Sequence, residues 1–107
     1  MPVIRIDFDD KKLKNEEVLA LSNALQKIVS EVTEIEDVFV YANSSQIAVK
    51  IAPIEVFIQM STHKIKDLDI LVAELKERIS SWKAENDFPH LINMSFIPMP
   101  WKIEVGI

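Results

Sequence analysis

Two proline-led segments, Pro2-Val-Ile-Arg-Ile-Asp-Phe and Pro53-Ile-Glu-Val-Phe-Ile-Gln, stand 51 positions apart in a chain of 107 residues. Each is rich in β-branched and aromatic residues, as strands are. Each is followed by a helical pattern and then by another extended run. In the first helix Val18, Leu21, Leu25, Ile28, Val29 and Val32 fall on one face. Shifting that set by 50 gives Leu68, Leu71, Leu75, Arg78, Ile79 and Trp82, so five of the six positions stay apolar. The chain therefore reads as two strand-helix-strand units, about 1–52 and 53–107, within one domain.

The remaining boundaries follow from local chemistry. Asn15 is the expected N-cap of the first helix, with Glu16 and Glu17 in its first turn. Val38 to Ala42 is the next strand, Asn43-Ser44-Ser45 a turn, and Gln46 to Ile51 a short extended piece. Ile54 to Met60 is a strand, and Ser61 or Thr62 is expected to cap a helix from about Lys64 to Ala84. Leu91 to Ile97 and Trp101 to Val105 complete the extended runs.

A strand, a crossover helix and a parallel strand form a right-handed unit almost without exception. Two such units give an α/β (α+β) two-layer sandwich: a four-stranded mixed sheet, two helices on one face, and short extra strands. The same element order also fits a ferredoxin-like fold, with the second and third strands as a hairpin across Ala42-Asn43-Ser44-Ser45. Pro53 argues against that, because it offers no N–H to a continuous third strand. One sheet face is left without helices and is expected to bury itself against copies of the chain.

Composition removes whole classes of function. The only glycine is Gly106, whereas phosphate-cradling loops need several for close backbone approach. There is no cysteine, so disulfides, thiolate nucleophiles and Cys-ligated zinc are excluded. The net charge is −5, with no basic stretch to displace counterions from phosphates, so no nucleic-acid partner is expected. No run approaches the roughly 20 apolar residues of a membrane span, and the first residues lack a signal-peptide pattern. A cytoplasmic location away from membranes is the expectation. His63 and His90 lie 27 residues apart with no third ligand at a metal spacing, so neither a metal nor a cofactor is expected. His63 belongs with a helix-capping turn, and His90 with a strand entrance.

Met1-Pro2 opening a strand, the second strand near Pro53, the length and the internal echo together resemble the tautomerase superfamily. That group includes macrophage migration inhibitory factor and the oxalocrotonate tautomerases. Ile54-Glu55-Val56-Phe57 and Phe96-Ile97-Pro98 are similar to segments of a short, uncharacterised bacterial branch. The resemblance implies a homotrimer in which pieces around Ile47 to Ile51 and Trp101 to Val105 pair across subunits. It also implies loss of Met1 and a tautomerase (isomerase) activity on an enolisable keto acid, with Pro2 as general base. A secondary amine in an apolar pocket has its charged form disfavoured, so the free base becomes available near neutrality.

The cationic positions depart from the family pattern. Phe39 stands where oxalocrotonate tautomerases carry an arginine in the second strand. Glu34-Ile35-Glu36 occupies the region where the inhibitory-factor branch has a lysine. Lys11, Lys12 and Lys14 fall near the family's other arginine, and Arg5, Lys12 and Phe39 are the candidate substrate-binding residues. The departures leave a second expectation: a non-catalytic trimer that kept the fold and lost the chemistry.

Overall fold

The computed structural model describes every residue except Trp101 and Ile103. Its elements are β1 (Val3–Phe8), α1 (Asn15–Thr33), β2 (Phe39–Asn43), β3 (Ile54–Ser61), a short 3-10 turn (Thr62–Lys64), α2 (Leu68–Glu85) and β4 (Asn93–Met99). The strands form one sheet in the order β2-β1-β3-β4. β1 runs parallel to β2, β3 parallel to β4, and the central pair β1 and β3 is antiparallel. This is the double strand-helix-strand arrangement. The ferredoxin-like alternative fails, because β1 lies between β2 and β3, which therefore form no hairpin.

Alternation along the strands makes the two faces chemically different. Ile4 and Ile6 of β1 and Ile54, Val56, Ile58 and Met60 of β3 point to the helices and are buried. Leu21, Leu25 and Val29 of α1 and Leu75 and Ile79 of α2 meet them. No charged or polar residue is buried among the described residues, so this core carries no desolvated charge. Leu25 and Leu75 are wholly buried, as the helical spacing predicts. Ile28 and Leu71, expected to be nearly as buried, pack only partly against the core. They lie at the margin of the helix-sheet layer.

The opposite face carries Phe39 and Tyr41 of β2, Val3 and Arg5 of β1, and Phe57 and Gln59 of β3 in register. No helix covers it. Phe39 and Tyr41 are large and exposed there, at 43% and 58%.

Several local expectations are corrected. Lys14, not Asn15, is the N-cap of α1. The capping group is the Glu17 carboxylate, which accepts the Lys14 backbone N–H at 2.9 Å, so the cap position needs no side-chain oxygen of its own. Ser61 does cap, but only the 3-10 turn, accepting the His63 N–H at 3.4 Å. α2 begins four residues later than expected, because Asp67 accepts the Ile70 N–H at 3.1 Å and fixes the start there. β4 starts at Asn93 rather than Leu91 and runs through Pro98 to Met99. Proline is tolerated there because β4 is an edge strand.

Gln46 to Ile51 forms no strand within the protomer. Its alternating Ile47, Val49 and Ile51 pair with no strand among the described residues, and Ile47 and Val49 are almost wholly exposed. The expected terminal strand falls partly on Trp101 and Ile103, outside the described residues. Lys102, Glu104 and Val105 are not in a strand.

Candidate active site around Pro2

Pro2 sits at the head of the central strand β1 and is wholly buried. Its carbonyl accepts the Phe39 N–H at 3.2 Å, which extends the β1–β2 ladder one residue beyond Val3. Continuing the two registers places Val38 on one side of Pro2 and Met60 on the other, both buried. Proline suits this position, because its φ is already fixed and it lacks an N–H that burial would orphan. Met1, which precedes it, is partly exposed. With Met1 attached the nitrogen is an amide. Without it, the nitrogen would be a secondary amine with apolar neighbours on both flanking strands.

Of the four candidate residues, Pro2 and Phe39 come together. Arg5 lies on the uncovered face, reversed from the side on which Pro2 and Ile4 are buried. Its guanidinium stacks over the Phe57 ring at 4.4 Å and pairs with Asp7 at 3.3 Å. Lys12 is exposed in the turn after β1, where its backbone N–H donates to Asp9 at 3.0 Å. About 17 Å of strand separates that turn from Pro2. Within one protomer, then, neither cation stands beside Pro2. Glu55, which the sequence leaves open as a paired polar residue or a pocket acid, accepts from the Asn93 amide at 3.4 Å on the uncovered face.

The sequence gives no sign of a pair formed by His90 and Glu17, 73 residues apart. His90 Nε2 and Glu17 Oε2 are 2.8 Å apart and both side chains are mostly covered. Glu17 also receives the Lys14 N–H, and this backbone hydrogen bond is the main cause holding its carboxyl below the usual range. The bond from His90 acts in the same direction. The Phe88 ring lies edge-on to His90 at 5.3 Å and against Trp82 at 5.2 Å. This cluster fastens the α2–β4 connection to the start of α1. Among the described residues no group of three or more His, Asp or Glu side chains is placed to hold a metal ion, and no helix is long and apolar enough to cross a membrane.

No protein-family model and no curated protein matches the chain. Solved structures do match in fold. MIF2 of Leishmania major superposes with a TM-score of 0.66 at 13% identity, covering 99% of this chain and 95% of that one. A fused 4-OT symmetric trimer gives 0.65 at 13% identity, covering 98% and 94%. A malonate semialdehyde decarboxylase gives 0.68 at 6% identity, covering 98% and 92%. All three are tautomerase-superfamily structures. The chain has the tautomerase fold along essentially its whole length.

Proposed function

We propose that this chain is a tautomerase-superfamily protomer, one domain over residues 1–107, that moves a proton on an enolisable keto acid with Pro2 as general base. The observation that carries this reading is the placement of Pro2, wholly buried at the head of the central strand directly after the partly exposed Met1. Removal of Met1 converts an amide into an amine. Apolar surroundings destabilise the ammonium form, so the amine is free to accept a proton from a carbon next to a carbonyl.

The site is completed by assembly. Phe39, Tyr41, Ile47 and Val49 are exposed apolar side chains on the uncovered face and the β2–β3 connection. Burying them against two further copies gives a homotrimer, and a fused trimer is among the matching structures. Assembly also supplies what one protomer lacks at Pro2, a cation from a neighbour. Lys12, held apart from its own Pro2 by the length of β1, is the candidate for binding the substrate carboxylate. Arg5, already paired with Asp7, is the weaker one.

The test compares protein processed to start at Pro2 with protein carrying a short N-terminal tag, on phenylpyruvate or a hydroxydienoate. The processed form should turn over, with a rate that rises with pH as the amine becomes free, and the tagged form should not. Pro2→Ala should keep part of the rate, because a primary amine remains. Equal turnover in tagged and processed protein excludes Pro2 as the base. A specific observation favours the second reading, a non-catalytic trimer: Phe39 and the exposed Glu34 and Glu36 stand where the family places cations. No turnover in either form, with the trimer intact, would select it.

A further inference from the structure

The side of the two helices turned away from the sheet holds a groove that the chemistry at Pro2 does not use. Two hollows, of about 560 Å³ and 260 Å³, lie between α1 and α2. They adjoin at Ala20 and Trp82, which line both, and so follow one another along the same side of the helix pair. The groove's floor is apolar: Ala20, Ala24 and Ile28 from α1, Trp82 from α2, and Phe88 beyond it. Along α1 it runs from Glu16 to Glu31, about 22 Å at the helical rise per residue.

Its rim is acidic. Six carboxylates line the two hollows, Glu16, Glu17, Glu31, Glu77, Glu85 and Asp87, against two basic groups, Lys27 and Arg78. Both basic groups are already engaged. Arg78 pairs with Glu31 at 3.1 Å and with Glu74 at 3.5 Å, and Lys27 reaches the same Glu31 at 4.0 Å. Glu17 is engaged too, by His90. Among the described residues, Glu16, Glu77, Glu85 and Asp87 form no ion pair. Four uncompensated negative charges therefore surround an apolar groove.

We infer that the α1–α2 groove is a docking surface for a basic amphipathic helix of a partner protein. The apolar floor suits the apolar stripe of such a helix, and the flanking carboxylates suit lysines and arginines on either side of that stripe. The small side chains of Ala20 and Ala24, one turn apart, let a third helix approach closely and seat its ridge between the two. Four turns, about 15 residues, fill the groove's length. The charge pattern disfavours an acidic partner and an anionic membrane alike. The groove also lies opposite the uncovered sheet face, so an assembly built on that face leaves it open.

The probe is a fluorescently labelled amphipathic peptide of about 15 residues, with leucines at helical spacing and lysines elsewhere. Anisotropy should show saturable binding that weakens as salt rises. Glu77→Lys with Glu85→Lys should weaken it about tenfold or more. Ala24→Trp, which fills the floor without changing charge, should weaken it as well. Asp10→Lys with Asp69→Lys, both exposed and lining neither hollow, should leave it unchanged. The inference is overturned if the control pair weakens binding as much as the groove pair. It is equally overturned if a glutamate version of the peptide binds as tightly, or if Ala24→Trp has no effect. Should Ala24→Trp instead dissociate the protein's own oligomer, the occupant is a second copy and not a basic helix. None of these readouts depends on turnover at Pro2, so either proposal can fail alone.

Discussion

Glu17 shows how one side chain can serve two structural purposes. It closes the first turn of α1 on the Lys14 N–H and also anchors His90 from the far end of the chain. Its carboxyl is held low in the folded protein, so the stabilisation is complete above the ordinary carboxylate pKa and is lost as pH falls through the lowered one. Glu17→Gln keeps an oxygen for the cap but removes the charge. Thermal melts should therefore show the variant less stable near neutral pH, with the difference closing under acid. A gap that stays constant down to the lowest pH would mean the charge is not what matters. Nothing local in the sequence announces this pair, because its partners meet only once both halves have folded. Pro2 and Phe39 are different: both could be singled out in the sequence, and the structure puts them side by side.

The helices were legible because their apolar residues recur at the helical period, and the structure buries Leu21, Leu25, Val29, Leu75 and Ile79 accordingly. Leu25→Ala and Leu75→Ala should each cost about 2–5 kcal/mol in denaturant melts, through lost transfer energy and the cavity left behind. The half-buried Ile28 and Leu71 should cost less when truncated. Element ends are less legible in the sequence, since capping is decided by a single hydrogen bond, such as that from Ile70 N–H to Asp67. With one glycine in the chain, the helices must end on other residues. Glu34 (φ 58°) closes α1 and Asp87 (φ 50°) follows α2, both in the left-handed region. After α2 the Phe88 N–H returns to the Lys83 carbonyl at 3.0 Å, and Phe88 packs on Trp82, completing a Schellman-type close. Glu34→Gly should therefore stabilise the protein by about 0.5–1 kcal/mol, since glycine adopts this conformation without a Cβ clash. A lowered melting temperature would show that Glu34 makes contacts worth more than the strain it bears. The alternation in Gln46 to Ile51 reads as extended, yet within the protomer the segment pairs with no described strand, and alternation alone cannot name a pairing partner.

Across the molecule, the exposed Ile47, Val49, Phe39 and Tyr41 call for cover. Light scattering should give a trimer at micromolar concentration, and Ile47→Lys with Val49→Lys should shift it toward monomer while the helical circular dichroism persists. A stable wild-type monomer would remove the basis for a shared site. The sheet itself is built about a seam. β1 and β2 belong to one half and β3 and β4 to the other, and in the sheet the halves meet only along the antiparallel β1–β3 pair, from Val3 with Gln59 to Phe8 with Ile54. That pairing is self-complementary: exchanging the halves exchanges β1 with β3 and β2 with β4. The exposed connection over residues 44–52 contributes no strand to either half. Within one protomer it holds the two β1–β3 edges at an effective concentration of the order of millimolar, as a short tether does. A chain opened within that connection would turn a unimolecular closure into a bimolecular one, and its two fragments would find each other only as strongly as the seam and the helix pair allow.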